Sequence, residues 1–178
     1  MRKGDYMKSV TLPLSKQDVS ELKAGDSVLI SGTIMTARDC AHKRLIELLD
    51  NKKELPFKLK DAVIYYAGPC PAKPGFASGS CGPTTSARMD SFAPRLLDCG
   101  LGAIIGKGEM SQAVREAIVK NKAVYFAAIG GAGALYADAI ISNKCIAFDD
   151  LLSEAIYKLE VKNFPAVVAY DCYGGSIY

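Results

Sequence analysis

The sequence predicts an α/β fold with a mostly parallel sheet flanked by helices. Three observations carry that expectation. Runs rich in β-formers alternate with helical patterns through the middle of the chain, the order that βαβ units produce. Polar or glycine-rich loops follow three of those runs, at residues 36–39, 68–83 and 106–108, where open α/β sheets place their ligands. Hydrophobic residues make up 49% of the 178 positions and charged residues 23%, which permits a buried core and argues against disorder. That length suits a single domain over residues 1–178.

The elements follow in order. Val10–Leu14 opens the chain, and Ser15 or Asp18 is placed to cap a short helical turn around Val19–Leu22. Ala24-Gly25-Asp26 predicts a turn and Ser27–Met35 a strand. Asp39 is expected as the N-cap of a helix whose inner face holds Leu45, Leu48 and Leu49. Ala62–Ala67 is expected as a strand. Gly68–Pro83, rich in glycine and proline, is a long loop of the kind that is usually functional or flexible. Thr84 or Thr85 is expected to cap a helix over Arg88–Asp98 that ends at Cys99-Gly100. Leu101–Ile105 is a short apolar strand, Ser111 the cap of a helix over Gln112–Lys120, and Lys122–Ile129 a further strand. Cys145–Phe148 suggests a short strand, Ser153–Lys158 a helix, and Ala166–Asp171 the final strand.

Composition excludes several classes of function. A net charge of +3, with the basic residues spread along the chain, is too weak for nucleic acid. It suits either an ordinary solvated surface or a small anionic ligand. The six cysteines, Cys40, Cys70, Cys81, Cys99, Cys145 and Cys172, contain no C-x-x-C pair, so neither a zinc knuckle nor a ferredoxin-like run is expected. No apolar run is long enough to span a bilayer. The opening Met1–Tyr6 is polar and lacks an apolar h-region. Free thiols in a reducing cytoplasm are the expectation.

The residues suited to chemistry sit on the strand-end loops. Thr84 and Thr85 bring hydroxyls to a helix start whose N–H groups are unpaired. Arg88, four residues after Thr84, returns to the same point after one helical turn and is shaped for a carboxylate. Alternatively, it makes a surface ion pair. Lys107 lies between two glycines that allow close approach of a ligand, or it is a solvated turn residue. Arg38 offers a third cation. Asp39 serves as a cap, and His42 is either an acid–base group or a helix-surface or capping partner. Gly130-Gly131-Ala132-Gly133 does not complete G-x-G-x-x-G and is expected to serve tight helix packing. Three cations on three loops point to a small polyanion, phosphate or dicarboxylate, without a complete catalytic set.

Four strings then bear a resemblance. Gly32-Thr33-Ile34-Met35-Thr36-Ala37-Arg38-Asp39-Cys40-Ala41-His42-Lys43, Tyr65-Tyr66-Ala67-Gly68-Pro69, Gly82-Pro83-Thr84-Thr85-Ser86-Ala87-Arg88-Met89-Asp90 and Ile105-Gly106-Lys107-Gly108 resemble the class I fumarase and L-tartrate dehydratase family. The likeness is to the β subunit, or the C-terminal domain of single-chain members, over roughly residues 8 to 178. It implies an iron–sulfur hydro-lyase and a swivelling β/β/α domain. The [4Fe–4S] cluster is expected on a partner α subunit and not on this chain, with no metal ligand here. Carried over residue by residue, Thr84 matches the catalytic base and Arg38 and Arg88 the carboxylate-binding arginines. Lys107 matches the substrate-binding lysine, with a catalytic share. Thr85 is expected to assist binding, and Asp39 and His42, from the Arg-Asp-x-x-His string, are accessory.

The chemistry agrees with that assignment. Removing a proton beside a carboxylate builds an enediolate-like dianion, and fixed cations aimed at it are worth more than in water. An open iron of the partner's cluster would bind the leaving hydroxyl. The expected activity is interconversion of fumarate and L-malate by a cytoplasmic α/β complex, a heterotetramer or an assembly around a homodimer of β, with this chain inactive alone. Tartrate dehydration to oxaloacetate is the closest rival. A non-enzymatic dicarboxylate-binding module and an interaction protein stand further off.

Overall fold

The computed structural model describes residues 7–178. The polar opening at residues 1–6, which bears on the expected lack of a leader, lies outside the described residues. The chain runs β1 (Lys8–Thr11), α1 (Lys16–Glu21), β2 (Ser27–Thr36), α2 (Asp39–Asp50), β3 (Val63–Tyr65), a 3₁₀ turn (Ser86–Met89), α3 (Ala93–Asp98), β4 (Ala103–Gly106), α4 (Gln112–Asn121), β5 (Val124–Ala127), α5 (Gly133–Asp138), β6 (Ile140–Ala147), a second 3₁₀ segment (Asp149–Glu154) and β7 (Ile156–Tyr170).

The expected mostly parallel sheet is a mixed sheet, partly closed on itself. Its seven strands run in the order β1-β2-β3-β4-β5-β7-β6, with an added pairing of β2 to β7. The first four pairings, β1–β2 through β4–β5, are parallel, as the alternation through the middle of the chain predicts for β3 to β5; the strand material before residue 60, which the sequence leaves free to form a separate layer, joins the same sheet. β7 is antiparallel to β2, β5 and β6. Its length is the cause. Fifteen residues let one end pair with β5 while the rest lies along β2, which joins the two sides of the parallel sheet.

That closure explains a failed helix. Ser153–Lys158 has helix-compatible residues, but Ile156–Lys158 opens β7, where Ile156 and Leu159 are buried. Pairing to β2 on one side and β6 on the other satisfies backbone groups that a helix would have satisfied locally. The expected helix over Arg88–Asp98 is also divided. A 3₁₀ turn precedes α3, and Pro94 sits in the first turn of α3. Proline has no N–H for an i−4 carbonyl, so it suits a helix start and not an interior.

Alternation along the strands separates two apolar layers. Val63, Tyr65, Ala103, Ile105, Val124 and Phe126 face an inner cluster with Ile30, Ile34, Phe164 and Tyr136. Ile64, Tyr66, Ile104 and Tyr125 face the other way, against Leu45 of α2, Leu96 and Leu97 of α3, and Val114 and Ile118 of α4. Both faces of β3, β4 and β5 are covered, and their sequences are accordingly almost continuously apolar. At the start of the chain Ser15 caps α1 in a reciprocal capping box with Asp18. Gly32 marks a bulge in β2, where φ is +129° and a Cβ would lie 2.8 Å from that of Leu12. Among the described residues no helix is long and apolar enough to cross a membrane.

Candidate active site

The parallel strands β2, β3 and β4 end side by side, and their pairing continues one step beyond the strands. Ala37 N–H donates to the Tyr65 carbonyl at 3.1 Å, Tyr66 N–H to Ile105 at 2.8 Å, and Ala128 N–H to Gly106 at 2.7 Å. The three loops foreseen at strand ends therefore leave the sheet along one edge, which is the place where open α/β sheets bind ligands.

The segment Gly82–Arg88 is laid across that edge. Thr84 N–H donates to the Tyr66 carbonyl at 2.7 Å and Ser86 N–H to the Lys107 carbonyl at 2.8 Å. Bridges Ala67–Pro83 and Thr85–Lys107 extend the contact. This stitching places Thr84 beyond β3 and Thr85 beside Lys107. A Cβ on Gly106 would collide with Ser86 Oγ, so the close crossing needs glycine there. Thr85 is the residue before the 3₁₀ turn, but its side chain makes no capping bond. Thr85 itself is exposed.

Arg88 leaves the 3₁₀ turn and reaches the head of α2, where its Nε donates to Asp39 Oδ1 at 2.9 Å. Asp39 is thus not the expected N-cap. Arg38 holds that position, without a side-chain cap bond, and Asp39 is the first helical residue. An acid in a first helical turn is favoured by the helix dipole, and here it also orients an arginine. The bond uses Nε alone, and Arg88 remains half exposed.

Arg38 lies over Gly68. A Cβ on Gly68 would stand 3.2 Å from Arg38 Nη1 and would strike the Ser153 carbonyl. Glu154 approaches Arg38 Nη2 at 3.6 Å and accepts the Cys40 N–H at 3.1 Å. Hydrogen bonding from Cys40, opposed by burial, holds the Glu154 carboxyl below its ordinary range, with Arg38 adding to the effect. Lys107 is half-buried. Its aliphatic stem runs past Gly130, where a Cβ would lie 2.9 Å from Lys107 Cδ. The Gly130–Gly133 segment therefore has a packing role: Gly133 also accepts the Cys81 N–H at 3.0 Å.

His42 departs from the surface role expected for it. It is fully buried on the inner side of α2, edge-on to Tyr66 at 5.0 Å and beside Phe92 at 5.9 Å. Nδ1 lies 2.9 Å from the Arg38 carbonyl. A carbonyl only accepts, so Nδ1 carries the proton. Nε2 is buried with no partner. Burial pushes the imidazole down to about 4, against the smaller upward pull of the Arg38 carbonyl and the Asp39 charge. At neutral pH the ring is uncharged and supports the turn that carries Arg38.

Buried polar atoms without a partner in the chain concentrate at this edge. Among the described residues there are seven such side-chain atoms, and five belong to Arg38, Asp39, His42, Tyr66 and Asp90. Native interiors satisfy nearly all such groups, so their concentration makes this edge a candidate functional place. Burial raises the Asp90 carboxyl, and its bond to Ser111 N–H opposes the shift.

The site joins Arg38, Asp39, Thr84, Thr85, Arg88 and Lys107 at one sheet edge, with His42 beneath it. Sequence reasoning missed Glu154, which contacts Cys40 from 114 residues away with no local signal. It also left Ser86 and Gly68 without a role, although both lie in the resembling strings. Among the described residues no three His, Cys, Asp or Glu side chains group as a metal site; Cys81 and Cys172 are buried, and Cys40, Cys70, Cys99 and Cys145 are exposed.

Comparison with known proteins bears on this arrangement. Residues 2–178 match the family model described as Fumarase C-terminus. The chain is 41% identical over 174 residues to the anaerobic class I fumarate hydratase of Escherichia coli K12, covering 97% of this chain and 31% of that protein. It is 41% identical over 165 residues to fumarate hydratase 2 of Leishmania major, covering 92% and 29%. It is 42% identical over 171 residues to the putative L(+)-tartrate dehydratase subunit beta of Methanocaldococcus jannaschii, covering 93% and 88%. The chain thus spans about a third of the fumarate hydratases it matches and most of the tartrate dehydratase subunit.

Proposed function

The chain belongs to the fumarase C-terminus family, and from that premise we propose that it is the β subunit of a two-subunit iron–sulfur hydro-lyase interconverting fumarate and L-malate. The observation that carries the reading is the joining of Arg38, Thr84, Arg88 and Lys107 at one sheet edge by the bonds Thr84–Tyr66, Ser86–Lys107 and Arg88–Asp39.

The two arginines are suited to the two ends of a dicarboxylate. Arg88 is tied through Nε alone, which leaves its terminal nitrogens for a bidentate carboxylate. Arg38 holds a longer contact to Glu154, at 3.6 Å, which a substrate carboxylate can displace. Lys107 and the arginines offset the dianion that forms as a proton leaves the carbon beside a carboxylate. Thr84 takes that proton. Its hydroxyl is a weak base at its free pKa, so the neighbouring cations must stabilise the alkoxide. Thr85 adds a hydroxyl donor. Asp39 orients Arg88, and His42 supports the turn beneath.

In this proposal the cluster belongs to a partner α subunit; among the described residues of this chain no side chains group as a metal site. Such a partner explains why the site is open, with Thr85 and Arg88 exposed. We place the complex in the cytoplasm as a heterotetramer, with a β homodimer as the simpler assembly, and expect the isolated chain to be inactive. Tartrate dehydration is the second reading, favoured by the similarity to a putative L(+)-tartrate dehydratase subunit beta.

The test is co-expression with a cluster-bearing α partner and anaerobic assay with fumarate, malate and tartrate. Hydration of fumarate is expected. A complex that dehydrates tartrate and leaves malate untouched refutes the fumarase assignment. A [4Fe–4S] spectrum from this chain alone refutes the division of labour.

A further inference from the structure

We propose that Ser86 and Tyr125 are positioning residues for Lys107, acting through a closed and directional ring of hydrogen bonds beneath the Gly106–Gly108 turn. The inference rests on the substrate-binding role proposed for Lys107.

Four bonds define the ring. Lys107 N–H donates to Ser86 Oγ at 2.9 Å. Ser86 N–H donates to the Lys107 carbonyl at 2.8 Å. Ser86 Oγ and Tyr125 Oη lie 2.9 Å apart. Tyr125 Oη donates to the Gly108 carbonyl at 2.7 Å. The directions follow from proton counting. Tyrosine has one hydroxyl proton, and the Gly108 carbonyl can only accept it. The Ser86 proton must therefore point at Tyr125 Oη, leaving a Ser86 lone pair for the Lys107 amide. Each hydroxyl donates once and accepts once, so one arrangement satisfies the whole ring.

Burial makes that arrangement consequential. Ser86 and Tyr125 are both fully buried, and an unmet group there loses hydration as well as its bond. The ring clamps the amide and carbonyl of Lys107 and the carbonyl of Gly108, which fixes the backbone from which the lysine side chain departs. Tyr125 is itself held against Tyr170, with ring centres 5.1 Å apart. Tyr170 Oη accepts the Met110 N–H at 2.9 Å, so the turn is held on both sides of Glu109. Glycine at 108, with φ at +81°, leaves the turn no stiffness of its own. The packed tyrosines, their rings tilted by 43°, supply it from β5 and β7.

The test uses the α/β complex with Tyr125→Phe, Ser86→Ala, Lys107→Ala and the double variant Tyr125→Phe/Lys107→Ala. Tyr125→Phe removes one oxygen and keeps the ring packed. It is expected to raise KM for fumarate about five- to tenfold, the scale of one buried hydrogen bond, with kcat per active complex within about twofold. A fold defect would instead lower the active fraction and leave KM alone. Hydrogen exchange of the Ile105–Glu109 segment in the same complexes should accelerate in Tyr125→Phe and Ser86→Ala. The decisive readout is coupling: in the Lys107→Ala background, Tyr125→Phe should change KM no further.

An equal rise in KM in both backgrounds, or no rise and no faster exchange in either single variant, overturns the positioning role while the reading of Lys107 stands. If Lys107→Ala itself leaves kcat/KM unchanged, that reading fails and the inference fails with it.

Discussion

The buried imidazole of His42 makes a quantitative prediction about stability against pH. In the native chain burial pushes it from 6.5 to about 4, whereas the unfolded chain returns it to its ordinary value. Between those limits the unfolded state binds more protons than the native state, so stability falls as pH falls. The contribution is fully present above about pH 6.5, declines below it, and is exhausted once pH passes about 4. At about 1.36 kcal/mol per pH unit the loss reaches about 3 kcal/mol, with about 2 kcal/mol gone by pH 5. Other groups titrate nearby: Glu154 and several surface carboxylates are lowered, and Asp90 is raised. The measurement is therefore differential. His42→Asn keeps an N–H near the Nδ1 position for the Arg38 carbonyl and carries no titrating group. Urea unfolding of both chains from pH 7.5 to 4 gives the difference in stability at each pH. The wild-type chain should lose ground to the variant progressively over this range, by about 3 kcal/mol. A difference that stays flat within about 0.5 kcal/mol would refute the reasoning. It would mean that water reaches the ring or that a partner meets Nε2.

Three further outcomes are expected. Arg88→Ala and Lys107→Ala should each lower kcat/KM for fumarate by two or more orders of magnitude, as oxyanion-type stabilisation implies, with thermal unfolding of the chain unchanged because neither side chain is part of a buried core. Near-normal turnover in both would favour the binding-module reading. Gly106→Ala should destabilise the chain by about 1–3 kcal/mol, the cost of overpacking, since the new methyl meets Ser86 Oγ; calorimetry showing no loss would mean that the 82–88 segment does not cross β4 so closely. Glu154→Gln should speed alkylation of Cys40, followed by peptide mass spectrometry. Hydrogen bonding and charge from Glu154 both raise that thiol, and the thiolate is the reactive form.

Much of the candidate site was legible in the sequence because its parts are local. Gly82–Arg88 and Gly106–Gly108 are short strings whose residue types are visible locally; the second follows a short apolar strand directly, and the first closes the long loop after another. The electrostatics were not legible. Arg88 pairs with Asp39 across 49 residues, and Arg38 with Glu154 from the segment before β7. His42 looked like a helix-surface group because nothing near it in sequence announces that Tyr66 and Phe92 cover it.

The same division holds for the whole chain. The sequence by itself determined the run β3 to β5, since strands buried on both faces must be apolar throughout and the helices between them carry a single apolar stripe; whether β1 and β2 join the same sheet it left open. It also placed glycine, hydroxyl and basic residues on the loops at the edge those strands share. Only the tertiary structure decided the closure of the sheet, because the fate of Ile156–Lys158 depends on hydrogen-bond partners in β2 and β6 and not on neighbours in the chain. It likewise decided which acid each arginine faces and which hydroxyls hold Lys107. Local propensity is set by side-chain entropy and spacing, which a sequence contains; pairing across the fold is set by which buried groups remain to be satisfied, and that is known only once the chain has closed.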